Sequence, residues 1–174
     1  MQTNWLKNVK SCFDKEIVKM DLILRTYKVL SEIKKDLTDE FSGLGLVVYD
    51  STIFSPANHC DLRPGIKFPR YNVYDENIYD CLLSISDYRN TLHDGFHFID
   101  QEGTLTHVAQ YFVPSIVKDL HPDQEHGVRL FSSICGSTIL GVLFIATICS
   151  NGDIYIYESG KPLNLNNLLT EEKV

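Results

Sequence analysis

The chain is short of the features that would place it quickly, and each shortage excludes something. Its five cysteines (Cys12, Cys60, Cys81, Cys135, Cys149) are odd in number, widely spaced and form no Cys-x-x-Cys pair. That excludes a paired-thiol metal knuckle and suits reduced thiols in a cytoplasm better than a secreted disulfide framework. Basic residues are in deficit, with 16 Lys and Arg against 23 Asp and Glu and a formal net charge of −7. Binding along a nucleic-acid backbone needs cations that release counterions, so no nucleic-acid partner is expected. Long apolar runs are missing too: the longest, Gly141 to Cys149, falls far short of the roughly 20 residues that cross a bilayer, and the N-terminus lacks a signal peptide's apolar stretch. These absences lead to the expectation of a soluble cytoplasmic protein with no membrane partner. At 174 residues the chain has the length of one domain with its own core.

Familiar catalytic signatures are also lacking. Gly43-x-Gly45 is too short for a dinucleotide fingerprint, and Gly160-Lys161 lacks the flanking residues of a phosphate-binding loop, so both read as turns. Among the six histidines (His59, His93, His97, His107, His121, His126) only His93 and His97 stand at His-x-x-x-His spacing, and they run into a predicted strand instead of sharing a helix face, so no metal site is expected from them. No Gly-x-Ser-x-Gly elbow marks a nucleophile, and Cys135 and Cys149, in apolar surroundings, read as core.

What is present is periodicity. Leu6, Val9, Phe13, Ile17, Met20, Leu24, Tyr27 and Leu30 recur three or four apart, which predicts a helical segment from Asn4 to about Phe41, either one helix or two that break near Lys19–Asp21. Leu44 to Asp50 reads as a buried strand and the proline-bearing stretch from Ser55 to Arg70 as a loop. Asp75 is placed to cap a helix running to Asn90, with Ile78, Leu82 and Ile85 on one face. Phe96 to Val113 reads as a hairpin turning at Asp100–Gly103, Gly127 to Cys135 as a short helix, and Val142–Ile148 and Ile154–Tyr157 as strands joined at Asn151-Gly152. The expectation is an α+β fold, a central mixed β-sheet flanked by helices. Residues 1–42 form a helical N-terminal segment packing on a domain over 43–168, and 169–174 form a fraying tail.

Two short segments carry chemistry. His93-Asp94-Gly95-Phe96 sets a carboxylate at the mouth of a strand, where it can bind a metal or activate a hydroxyl, and Gly95 lets a ligand approach the backbone. By itself an Asp-Gly is most often a plain turn. Gly127-Val128-Arg129 opens a helix bearing Ser132 and Ser133, so free N–H groups, one guanidinium and two hydroxyls could cradle an anion. Small residues at a helix start are also simply good caps.

In order and separation these segments resemble the catalytic domain of the diadenylate cyclases, the family that includes the N-terminal domain of the DNA-integrity scanning protein. That family opens a strand with Asp-Gly-Ala, where this chain has Asp94-Gly95-Phe96. It starts a helix with Gly-Thr-Arg-His-Arg-Ala-Ala, where this chain has Gly127-Val128-Arg129-Leu130-Phe131-Ser132-Ser133. The resemblance continues to the Gly152-Asp153-Ile154 turn and Gly160-Lys161, so residues 43–168 read as a diadenylate-cyclase-like domain. It implies a nucleotide or nucleotide-derived ligand held by Asp94, Gly95, Phe96, Gly127, Val128, Arg129, Ser132 and Ser133. It also implies Mg2+ or Mn2+, but only if the chain is catalytic, with Asp94 as the catalytic residue, and a homodimer or an effector protein as partner. The departures weigh against catalysis. Leu130 and Phe131 replace two charged residues, and the family's Ser-Glu-Glu falls on Ile148-Cys149-Ser150. One carboxylate cannot both bind metal and align a nucleophile for phosphoryl transfer. The reading is therefore a nucleotide-binding or nucleotide-sensing module without cyclase activity. The alternatives are a diverged cyclase making cyclic di-AMP or a related cyclic dinucleotide, and a protein-interaction domain without ligand.

Overall fold

A β-branched run buried on both faces sits at the centre of the protein. In a computed structural model, which describes residues 2–56, 60–118, 120 and 127–164 with side chains from Asp14 onward, β1 (Leu44–Tyr49) is buried at every position. It lies fourth in a seven-stranded sheet of order β2-β4-β3-β1-β5-β6-β7. The others are β2 (Cys60–Asp61), β3 (Phe96–Asp100), β4 (Leu105–Tyr111), β5 (Val142–Ile148), β6 (Ile154–Glu158) and β7 (Lys161–Pro162). β1 runs parallel to β3 and antiparallel to β5, and the remaining pairs are antiparallel, so the sheet is mixed as expected.

Alternation along the strands divides the core between the two faces. Leu44, Leu46 and Val48 join Phe144, Ala146 and Ile148 beneath α1 (Gln2–Ile33) and α2 (Ile78–Ile85). Val47, Tyr49, Phe96, Phe98 and Ile145 form an aromatic-rich cluster on the other face, where α3 (Val128–Gly136) packs through Leu130 and Ile134. Helix α1 anchors itself by Leu22, Ile23, Val29, Leu30 and Ile33. Burying side chains of this kind contributes about 1.5–3 kcal/mol each.

Two expected boundaries are corrected. Helix α1 runs without a break through Lys19–Asp21 and ends at Ile33, followed by a 3-10 turn over Lys34–Asp36. Helix α2 is shorter than Asp75–Asn90: the Asp75 carboxylate accepts from the Asn72 N–H and closes a turn ahead of the helix, while Asp87 accepts from the Arg89 N–H and ends it. The two hairpins turn where turn chemistry places them. Asp100 accepts from the N–H groups of Glu102 and Thr104, and Asn151 accepts from that of Asp153. Histidines 59, 121 and 126 and the tail over 169–174 lie outside the described residues.

Candidate functional site

Because β1 and β3 are parallel, their N-terminal ends lie at the same end of the sheet. The antiparallel β5 brings Ile148 opposite Leu44 and so delivers Cys149 and Ser150 there as well. Helix α3 starts above this end, and Arg129 in its first turn reaches down to it, donating from Nη1 to the Ser42 carbonyl at 2.9 Å. The guanidinium lies across glycine: a Cβ at Gly43 would stand 2.6 Å from Nη1, and one at Gly45 would stand 2.7 Å from the Phe96 ring and 3.4 Å from Arg129 Cδ. Gly43-x-Gly45 is therefore not a plain turn. Gly43 does take φ +85°, but Gly45 lies inside β1, and together they clear a track for an arginine and a phenylalanine that arrive from distant parts of the chain.

Among the described residues no carboxylate lies within ion-pair distance of Arg129. Burial lowers its pKa, opposed by the Cys149 and Asp94 side chains nearby. Arginine stays protonated regardless, so the site holds a desolvated cation whose one hydrogen-bond partner among the described residues is a carbonyl.

Asp94 shares this end of the sheet but is already engaged. Its Oδ2 accepts from Arg63 Nη2 at 3.1 Å, and Arg63 is fixed in turn by donating from Nε to the Thr91 carbonyl and from Nη1 to that of Leu62. Its Oδ1 faces His93 Nε2 at 3.1 Å, while His93 Nδ1 lies 2.7 Å from the Asn90 carbonyl. Both ring nitrogens thus face oxygen atoms. Arg63 comes from the proline-bearing stretch that sequence reasoning read only as a loop.

The other expected site residues divide between surface and interior. Gly127 stands at the N-cap of α3 without a side-chain cap, and Val128 is exposed, so among the described residues the helix start is open. Gly95 serves the backbone: its φ is +78° and a Cβ there would sit 2.3 Å from the Gln110 carbonyl oxygen. Phe96 is buried and packs edge-on to Phe112 with ring centroids 5.2 Å apart. Leu130 faces Ile134 and Tyr157, and Ser132 is buried. The Ser133 hydroxyl is buried between the Arg129 carbonyl, to which it donates at 2.9 Å, and Thr147 Oγ1 at 2.8 Å. The structure thus brings Arg129, Asp94 and the open start of α3 to one end of the sheet and turns Phe96, Leu130 and Ser133 inward. Of the two cysteines expected in the core, Cys135 is buried there, whereas Cys149 is only partly buried, at the site.

The divalent metal that the resemblance implies finds poor ligands here. Asp94 is already paired with Arg63, burial pushes the Cys149 thiol up and so keeps it protonated, and Ser150 is neutral. Among the described residues no three His, Cys, Asp or Glu side chains gather closely enough to hold a metal ion. The residues present do not fit the group.

The sequence matches no protein-family profile, and no curated protein matches it. Solved structures do. A double cysteine mutant of DacA from Staphylococcus aureus aligns with a TM-score of 0.57 at 17% identity, over 87% of this chain and 92% of that one. A hypothetical membrane-spanning protein from Bacillus cereus aligns with a TM-score of 0.56 at 17% identity, over 79% of this chain and 59% of that one. Among the described residues of this chain no helix is long and apolar enough to cross a membrane. At such identity the likeness establishes architecture, and with the mixed sheet and its three helices the chain has a diadenylate-cyclase-like α+β fold.

Proposed function

We propose that the chain binds an anionic nucleotide or nucleotide-derived ligand at this end of the sheet and does not form cyclic dinucleotides. The observation that carries the reading is Arg129, a desolvated guanidinium with a carbonyl partner and no described carboxylate within ion-pair distance. Holding a cation in this state is costly unless an anion completes it. The open start of α3 adds oriented N–H groups beside it. A ligand of few charges is favoured over a triphosphate, because one cation carries the contact and the second arginine nearby, Arg63, already neutralises Asp94. The lack of carboxylates at Cys149 and Ser150, and the engagement of Asp94, argue against metal-assisted phosphoryl transfer.

Calorimetric titration of mononucleotides and cyclic dinucleotides, with and without chelator, tests this. Binding should survive the chelator, and Arg129→Ala should weaken it roughly tenfold to a hundredfold, the equivalent of one charge-assisted hydrogen bond. ATP or GTP with Mg2+ or Mn2+ should yield no cyclic product. A panel with no binding at all would favour an interaction domain. Robust metal-dependent product that Asp94→Asn abolishes would establish a working cyclase.

A further inference from the structure

The apolar positions of helix α1 fall on two faces, and its fully buried side chains among the described residues lie on one of them. The buried positions Leu22, Ile23, Thr26, Val29, Leu30 and Ile33 centre on one side of the helix. Positions 6, 9, 13, 17 and 20, all apolar, centre roughly 140° away at about 100° per residue. Among the described side chains burial begins only at Leu22, and Ile17 and Val18 are more than half exposed. The helix also runs on past its described side chains: residues Gln2–Phe13 continue it for about 18 Å beyond Asp14.

Beside the base of this arm lies a cavity of about 720 Å3, at the end of β1 opposite the candidate site. Its apolar lining is Val18, Leu22, Ile53, Val142 and Leu143, with Ile53 more than half exposed. Its charged lining is unbalanced: Asp14, Glu16, Asp50 and Glu158 stand against Lys15 and Lys19, a net of two negative charges. Residues 1–13 have the opposite balance, with Lys7 and Lys10 and no acid.

We infer that this groove receives the N-terminal arm of a second copy of the chain, in an antiparallel two-fold exchange of α1 helices. Charge complementarity is one ground, since each arm brings two cations to a groove with two surplus anions. The helical wheel is the other. A two-fold axis perpendicular to the helices that sets the partner's sheet on the opposite side of α1 turns the exposed face of Ile17 and Met20 toward the groove of the partner copy. Two-fold symmetry makes the contact twice, each copy giving an arm and accepting one. The site around Arg129, at the far end of the sheet, stays open in such a dimer.

Sedimentation velocity of the full chain up to about 100 μM should show a concentration-dependent dimer. Ile53→Asp, and separately Lys7→Glu with Lys10→Glu, should each raise the dimer dissociation constant at least tenfold with unchanged circular dichroism. Adding Asp14→Lys and Glu16→Lys to the double lysine variant should restore most of the affinity, which mere fraying of the arm would not allow. A chain that stays monomeric throughout, or a dimer indifferent to both sets of changes, would overturn the inference.

Discussion

Arg129→Met removes a charge while nearly keeping length and shape, and so separates a ligand-binding cation from a structural strut. In the absence of ligand the variant loses one hydrogen bond from a charged donor to the Ser42 carbonyl at 2.9 Å, about 1.5–3 kcal/mol. It also escapes the desolvation that lowers the Arg129 pKa, a cost of several kcal/mol for a fully buried ion and less for this partly exposed one. The two oppose each other, and the net change in stability should stay within about 1 kcal/mol, a shift of roughly 2–4 °C in melting temperature for a chain of this size. Ligand should then discriminate sharply. At a hundred times its dissociation constant a nucleotide adds about 2.7 kcal/mol to the native protein. That corresponds to about 5–11 °C. The Met variant should show almost none of it at the same concentration. Thermal unfolding of both proteins with and without ligand measures both quantities. A loss above about 3 kcal/mol without ligand would mark Arg129 as a strut holding the Ser42 segment, and a ligand shift retained in the variant would place the ligand elsewhere.

His97 is buried with Nδ1 accepting from the Ala109 N–H at 3.2 Å and Nε2 without a partner among the described residues, and burial pushes its pKa down to about 3. The unfolded imidazole takes a proton near 6.5 while the folded one does not, so this contribution to stability is full above about pH 6.5 and is lost as pH falls toward 3, by up to about 1.4 kcal/mol per unit. His97→Leu should flatten that slope in urea titrations at stepped pH, and an unchanged slope would refute the assignment. Gly95→Ala should destabilise by about 2 kcal/mol or more, because a Cβ would meet the Gln110 carbonyl at 2.3 Å with φ at +78°, and native-like urea stability would contradict this packing. Asp94→Asn breaks a half-exposed ion pair with Arg63, so unfolding should register at most about 1 kcal/mol. Anion binding measured in chelator should hold or tighten, and its disappearance would make Asp94 a direct ligand contact.

What could be read in advance follows the range of the forces involved. The turns at Asp100–Gly103 and Asn151–Asp153 are made by side chains bonding their own backbone two to four residues on, so the residues that define them are adjacent in the chain. The continuous apolar run of β1 announced burial on both faces for the same reason. Helix α1, by contrast, shows no local stop signal at Lys19, and Lys19 pairs both with Glu16 one turn back and with Glu158 at the end of β6, a contact no window of sequence contains.

The site divides along the same line. The position of Arg129 in the first turn of a short helix is a local pattern and was legible. The reason for Gly43 and Gly45 was not, since the atoms that forbid a side chain there belong to Phe96 and Arg129, dozens of residues away. The state of Asp94 depends equally on Arg63, a residue from a stretch whose prolines signal only a loop. An arginine with no carboxylate partner among the described residues and an aspartate paired to Arg63 differ only in what surrounds them. Sequence supplied the charges, and the fold decided which of them pair among the described residues.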